Sequence, residues 1–281
     1  MEILAQFLLR LTFGLAFGMA ITSPQKVPSG FFRNHLYVTL GLTTLAALVT
    51  FAATREAFWY AVGAAVASYV GSVCWLYEKN RAGIIALFVV AMFSLESTWA
   101  LPDQLATSDK VADRYFAAIP ADGTADEFTA RYSKVASALW IWSGFWRALS
   151  NVSSGLLLGT TLTAMFLGHW YLNSPTMELA PLRRLLVAMG AALILQIVVS
   201  AVGLVCELNF AGDVSMHWLL FVVLRWSFGL VGVGALAWMT WQMLKIPNTQ
   251  SATGTLYVAV IGVFVGELTA ALLSSESMFP L

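Results

Sequence analysis

Charge is what this sequence has least of. Its 281 residues hold fifteen Lys and Arg and fifteen Asp and Glu, 11% in all, against 59% apolar residues, and the mean hydropathy is +0.77. A soluble domain of this length needs more charge to cover its surface. A net formal charge of zero gives no sign of nucleic acid or of an acidic partner.

Cysteine is almost as scarce. Cys74 and Cys206 lie in different apolar segments, with no C-x-x-C or zinc-type spacing. They read as small core residues, and no metal site is expected. A glycine-rich phosphate loop, an H-E-x-x-H and a nucleophile elbow are all missing. The glycines Gly232 and Gly234 fall inside an apolar helix, where they favour packing over nucleotide binding. A signal peptide is not expected either. The first apolar run opens Met1-Glu2 without a basic stretch and carries Arg10 in its middle.

What the chain has instead is long apolar runs, several near the roughly 20 residues that cross a ~30 Å hydrocarbon core. Hydropathy and helix breakers place eight helices at about 3–22, 35–53, 57–77, 82–101, 151–172, 182–206, 216–243 and 252–274. Pro24 and Pro28 separate the first two, Pro175 and Pro181 the fifth and sixth, and Pro247 the last two.

Basic residues in short loops set orientation. Among the short loops one side collects Lys26, Arg33, Lys79, Arg81, Arg183, Arg184 and Lys245, and the other only Arg55, while the long segment 102–150 on that other side holds five more basic residues. Both termini are therefore expected on the outer, non-cytoplasmic side. Residues 102–150 would lie outside as a crossover. Asp126 to Lys134 in it can form a charged helix, and the aromatic run Ala138 to Trp146 suits an amphipathic helix along the interface.

The sequence also repeats itself. A shift of 151 residues aligns Leu11-Thr12 with Leu162-Thr163, Ser23-Pro24 with Ser174-Pro175, and Arg33 with Arg184. A shift of 166 aligns Trp75 with Trp241 and Lys79 with Lys245, and one of 171 aligns Gly83 with Gly254. That last shift also superposes the pattern Phe-x-x-Glu-x-Thr-x-Ala-Leu from Phe93 on its copy from Phe264. Four helices per half make the halves parallel. The expected fold is an all-α integral membrane protein of about eight transmembrane helices. They would form two tandem four-helix bundles, 1–101 and 151–281, related by a parallel pseudo-two-fold. Gly14, Gly18, Gly63, Gly71, Gly229, Gly232 and Gly234 would allow close helix approach.

Arg10, Glu96, Arg225 and Glu267 fall inside predicted spans. Each costs ~2.5–3.5 kcal/mol on insertion scales, so such residues are kept in pairs or at working sites. With Glu207 and His217 at nearby helix ends they form a candidate intramembrane polar site for protons, an ion or a polar cargo. The plainer reading is ion pairs that fix helix register. His35 and His169 should sit near one face on different helices. They are the minimum for bis-histidine ligation of haem b, or for a quinone contact.

The layout of two tandem four-helix bundles resembles that of haem A synthases, which carry paired haem-ligating histidines in each half. Here the positions matching His35 and His169 are Leu186 and Gly18, so that ligand set does not carry over. Three functions stay open. One is an electron-transfer component or factor binding quinone or haem b. The second is a proton- or ion-coupled small-solute transporter built on the Arg/Glu site. The third is a non-catalytic scaffold whose partners are the bilayer and other membrane subunits.

Overall fold

The computed structural model describes residues 2–52, 54–101, 125–174, 176–210, 215–246 and 248–281, with 125–140, 210 and 276 as backbone only. These residues form eight helices: α1 Glu2–Ala20, α2 Ser29–Thr50, α3 Arg55–Leu76, α4 Asn80–Trp99, α5 Ala125–Asn173, α6 Ala180–Phe210, α7 Met216–Lys245 and α8 Thr249–Glu276. All except α2 are long and apolar enough to cross a membrane. Four threonines, Asn34 and His35 lower the hydropathy of α2, yet its 22 residues pack along both α1 and α3. The protein is an all-α, multi-pass membrane protein. Odd-numbered helices start from one face, called here the entry face, and even-numbered helices start from the return face.

Each group of four closes a ring. Helix α1 packs on α2, α2 on α3, α3 on α4 and α4 back on α1, and α5 to α8 follow the same order. The groups meet chiefly along α1 and α5, flanked by contacts of α1 with α8 and of α4 with α5. Glycine permits this. A Cβ on Gly14 would overlap the backbone of Gly155, and one on Gly18 would lie against the Thr163 side chain. With no side chain between them the two backbones touch, the usual way membrane helices gain dispersion contacts. One hydrophobic core then runs through both groups, from Leu15, Phe32, Trp75 and Leu87 to Leu157, Leu186, Val233 and Val263.

Two predicted boundaries move. The fifth helix does not begin near 151 behind a separate interfacial helix. Ala125–Asn173 is one helix of 49 residues, because no proline interrupts this stretch. At 1.5 Å per residue it is about 74 Å long, more than twice the hydrocarbon thickness, so its N-terminal part extends beyond the entry face. The proposed crossover 102–150 is therefore partly helix α5, and 102–124 lie outside the described residues. Helix α2 starts at Ser29 instead of 35, with Pro28 (φ −60°) directly before it. A proline at a helix start loses nothing, because the first N–H groups have no intrahelical partner.

Polar contacts fix the ends. The Ser215 hydroxyl accepts from Trp218 N–H (3.2 Å) to start α7, and Asn248 Oδ1 from Ser251 N–H (3.0 Å) to start α8. On the return face Lys26 pairs with Glu178 at 2.5 Å, tying the two interhelix loops of α1–α2 and α5–α6. Arg183 donates to the Leu244 carbonyl (2.8 Å) at the end of α7.

Candidate functional site

At the junction of the two groups, toward the entry face, lies a partly enclosed cavity of about 190 Å³. All four junction helices line it: Gln6 and Arg10 from α1, Thr98 from α4, Arg147 and Asn151 from α5, and Glu267 and Ser274 from α8. Pro280, just beyond α8, closes one side. Arg10 and Glu267 lie about 12 and 14 Å, respectively, along their helices from the entry-face ends. The α1–α8 packing beside them includes an edge-on contact of Phe7 with Phe264, ring centroids 5.3 Å apart.

Behind Glu267 stands Arg225. Its Nη1 donates to Glu267 Oε1 at 2.9 Å, and the two side chains are 1% and 2% exposed. Local backbone makes room for this pair. Arg225–Gly232 is wound as a π-helix within α7, a form that recurs at functional sites because it displaces side chains from the α register. Gly229 in that turn meets Gly266 of α8, where a Cβ on either would come within 2.6 Å of the other's Cα. The close approach lets the guanidinium fold over Gly266 to reach the carboxylate. Arg225 Nε and Nη2 and Glu267 Oε2 have no hydrogen-bond partner among the described residues. An ion pair this deep is costly unless its remaining lone pairs and protons are satisfied, and Glu267 is a wall residue of the cavity. The arrangement offers an acceptor oxygen to an occupant while Arg225 holds the carboxylate from behind.

The other predicted polar residues do not all converge. Glu96 is half-buried on α4 and does not line the cavity. Glu207 is buried near the end of α6, and His217 is exposed in the first turn of α7. Arg10 does belong, its Nη2 donating to Gln6 Oε1 at 3.3 Å. Three of the six residues therefore gather. Sequence reasoning missed Arg147, Asn151 and Pro280. The aromatic run before Arg147 suggested an interface, and the eighth helix was expected to end by 274, so neither stretch looked like a cavity wall.

The two histidines engage different neighbours. His35 lies between Phe31 and Phe166, ring centroids 4.3 and 4.4 Å away, with Nδ1 2.6 Å from the Phe31 carbonyl. His169 is exposed, and its Nδ1 is 3.3 Å from the Tyr257 hydroxyl on α8. Among the described residues no three His, Cys, Asp or Glu side chains come together. No family model matches the chain, and no curated protein or solved structure matches it with significance.

Proposed function

We propose that this protein carries a small polar solute, alone or coupled to a proton or ion, across the membrane by way of the junction cavity. The observation that carries this reading is the buried Arg225–Glu267 pair at the wall of a polar chamber, with Glu267 Oε2 buried and without a hydrogen-bond partner among the described residues. A volume of about 190 Å³ is below the roughly 300–1,000 Å³ of drug-sized sites, and at ~30 Å³ per water it suits one small solute or a few waters. That size favours a small solute over haem or quinone. An occupant with a hydrogen-bond donor for Glu267 fits the lining best.

Its position adds support, because transporters built from repeats bind substrate where the repeats meet. The matching ring order of α1–α4 and α5–α8 supports an origin of both halves in one four-helix unit. Counted over the short loops alone, the basic residues Lys26, Lys79, Arg81, Arg183, Arg184 and Lys245 at the return face, against Arg55 at the entry face, support an entry face on the non-cytoplasmic side, whereas the long stretch 102–150 adds five basic residues on the entry side. Cysteines placed at Ser29 and Ser251 should then label only from the cytoplasm.

The transport test is flux in proteoliposomes, for protons and for a panel of small amides, amines and zwitterions. Glu267→Gln should abolish the flux of whichever solute is carried, and Glu96→Gln should leave it intact. Equal flux in Glu267→Gln and the parent protein would remove the basis of this reading.

A further inference from the structure

Beyond α8, residues 277–281 lie against the helices. Ser277 turns extended (φ −122°, ψ 146°), and Ser277 to Leu281 fold back against the helices, all buried. Phe279 and Met278 pack with Cys206 of α6, and Leu281 packs with Val222 of α7 and Leu273 of α8. The Pro280 carbonyl fits against Gly203, where any Cβ would overlap it. These five residues have no helix or sheet ladder of their own, so their backbone groups need other partners.

Arg147 supplies two of these contacts. Its Nε donates to the Met278 carbonyl at 3.1 Å and its Nη2 to the Ser277 carbonyl at 3.0 Å. The Ser274 hydroxyl accepts from Leu281 N–H at 3.2 Å. Arg147, Ser274 and Pro280 are also cavity-lining residues. The groups that hold this segment down are therefore within reach of whatever occupies the chamber.

We propose that residues 277–281 are a strap over the entry-face side of the junction cavity, with Arg147 as its latch. A solute bearing acceptor oxygens competes with the Ser277 and Met278 carbonyls for the Arg147 guanidinium. Occupancy of the chamber thereby loosens the strap, and emptying it lets the strap re-form. Gly203 is the seat that only a glycine can provide.

Access to the cavity wall can be read directly, without transport. In a chain with Cys74→Ser and Cys206→Ala, a cysteine at Ala271 reports access through its rate of reaction with a membrane-impermeant maleimide. The rate should rise at least about ten-fold with Arg147→Gln, since a hydrogen bond to a charged donor is worth about that factor or more, and should rise likewise with Gly203→Val, whose side chain overlaps the Pro280 carbonyl. An unchanged rate in variants that still elute as folded protein would overturn the strap. If neither variant folds, native Cys206 is kept and oxidised to a cysteine at Met278. That lock should slow labelling at Ala271 below the rate of its own reduced form, and equal rates would overturn the strap as well. The strap's meaning for transport rests on the proposed function, but labelling measures access alone. Absent flux with accelerated labelling would refute the transport reading and keep the strap.

Discussion

Arg225 and Glu267 face each other at 2.9 Å from different helices, both almost wholly out of reach of water or lipid. Removing one partner of such a pair strands a buried charge, which costs about 3–5 kcal/mol, whereas replacing both with apolar side chains is often neutral. Glu267→Ala and Arg225→Ala should therefore each lower stability in detergent by about that amount. Arg225→Met with Glu267→Leu should restore most of it and still lack flux. A double variant that kept flux would separate the pair from function, and the unfolding midpoints of all three proteins measure the rest.

The α1–α5 crossing gives a second test, on packing alone. Gly159→Ala places a methyl group inside the backbone of Gly14, and overpacking of this kind costs about 1–3 kcal/mol or more. Gly190 on α6 has open space around it, so Gly190→Ala should be neutral or stabilising by up to about 1 kcal/mol. Thermal unfolding of the two variants side by side should show opposite signs or at least a clear gap.

Much of this fold is legible in the sequence because lipid forces backbone hydrogen bonds into helices. Apolar length and proline then give eight segments and most of their ends. Gly14, Gly18 and Gly229 also read correctly as places of close approach, since small residues among large apolar ones in a membrane helix have few other uses. What the sequence conceals is helix rotation. Glu96 and Glu267 share a nine-residue pattern, yet only Glu267 faces the junction, because the side each helix presents depends on its packing partners. The π-helix at Arg225 leaves no periodic trace, and the strap after Glu276 is too short and mixed to stand out. Arg10 and Glu267 stand out in the sequence as misplaced charges, while nothing there sets Arg147 apart.

Helix α3 ends with a strained residue. Glu78 has φ 55°, and the following Lys79 N–H donates to the Cys74 carbonyl at 2.9 Å, a left-handed helix cap that normally selects glycine. A side chain held in this region costs about 1 kcal/mol. Glu78→Gly should accordingly raise stability by up to about 1 kcal/mol, less what the unfolded chain gains in freedom. A fall in the unfolding midpoint would mean that the Glu78 side chain makes compensating contacts.

His35 and His169 separate the electron-transfer reading from the packing one. If they shared a haem, replacing either would remove a ligand, so both variants should lose the same Soret absorption and comparable stability. The structure gives them unequal roles. His35 fills space between Phe31 and Phe166, so His35→Ala should cost about 2–4 kcal/mol, as truncation of a buried side chain does. His169 is exposed and meets the Tyr257 ring and hydroxyl, so His169→Ala should stay within about 0.5 kcal/mol of the parent. A double-mutant cycle of His35→Ala with Phe166→Ala should show coupling, because residues in contact are not additive. Equal losses at His35 and His169, with a shared spectral change, would return the histidines to the centre of the function.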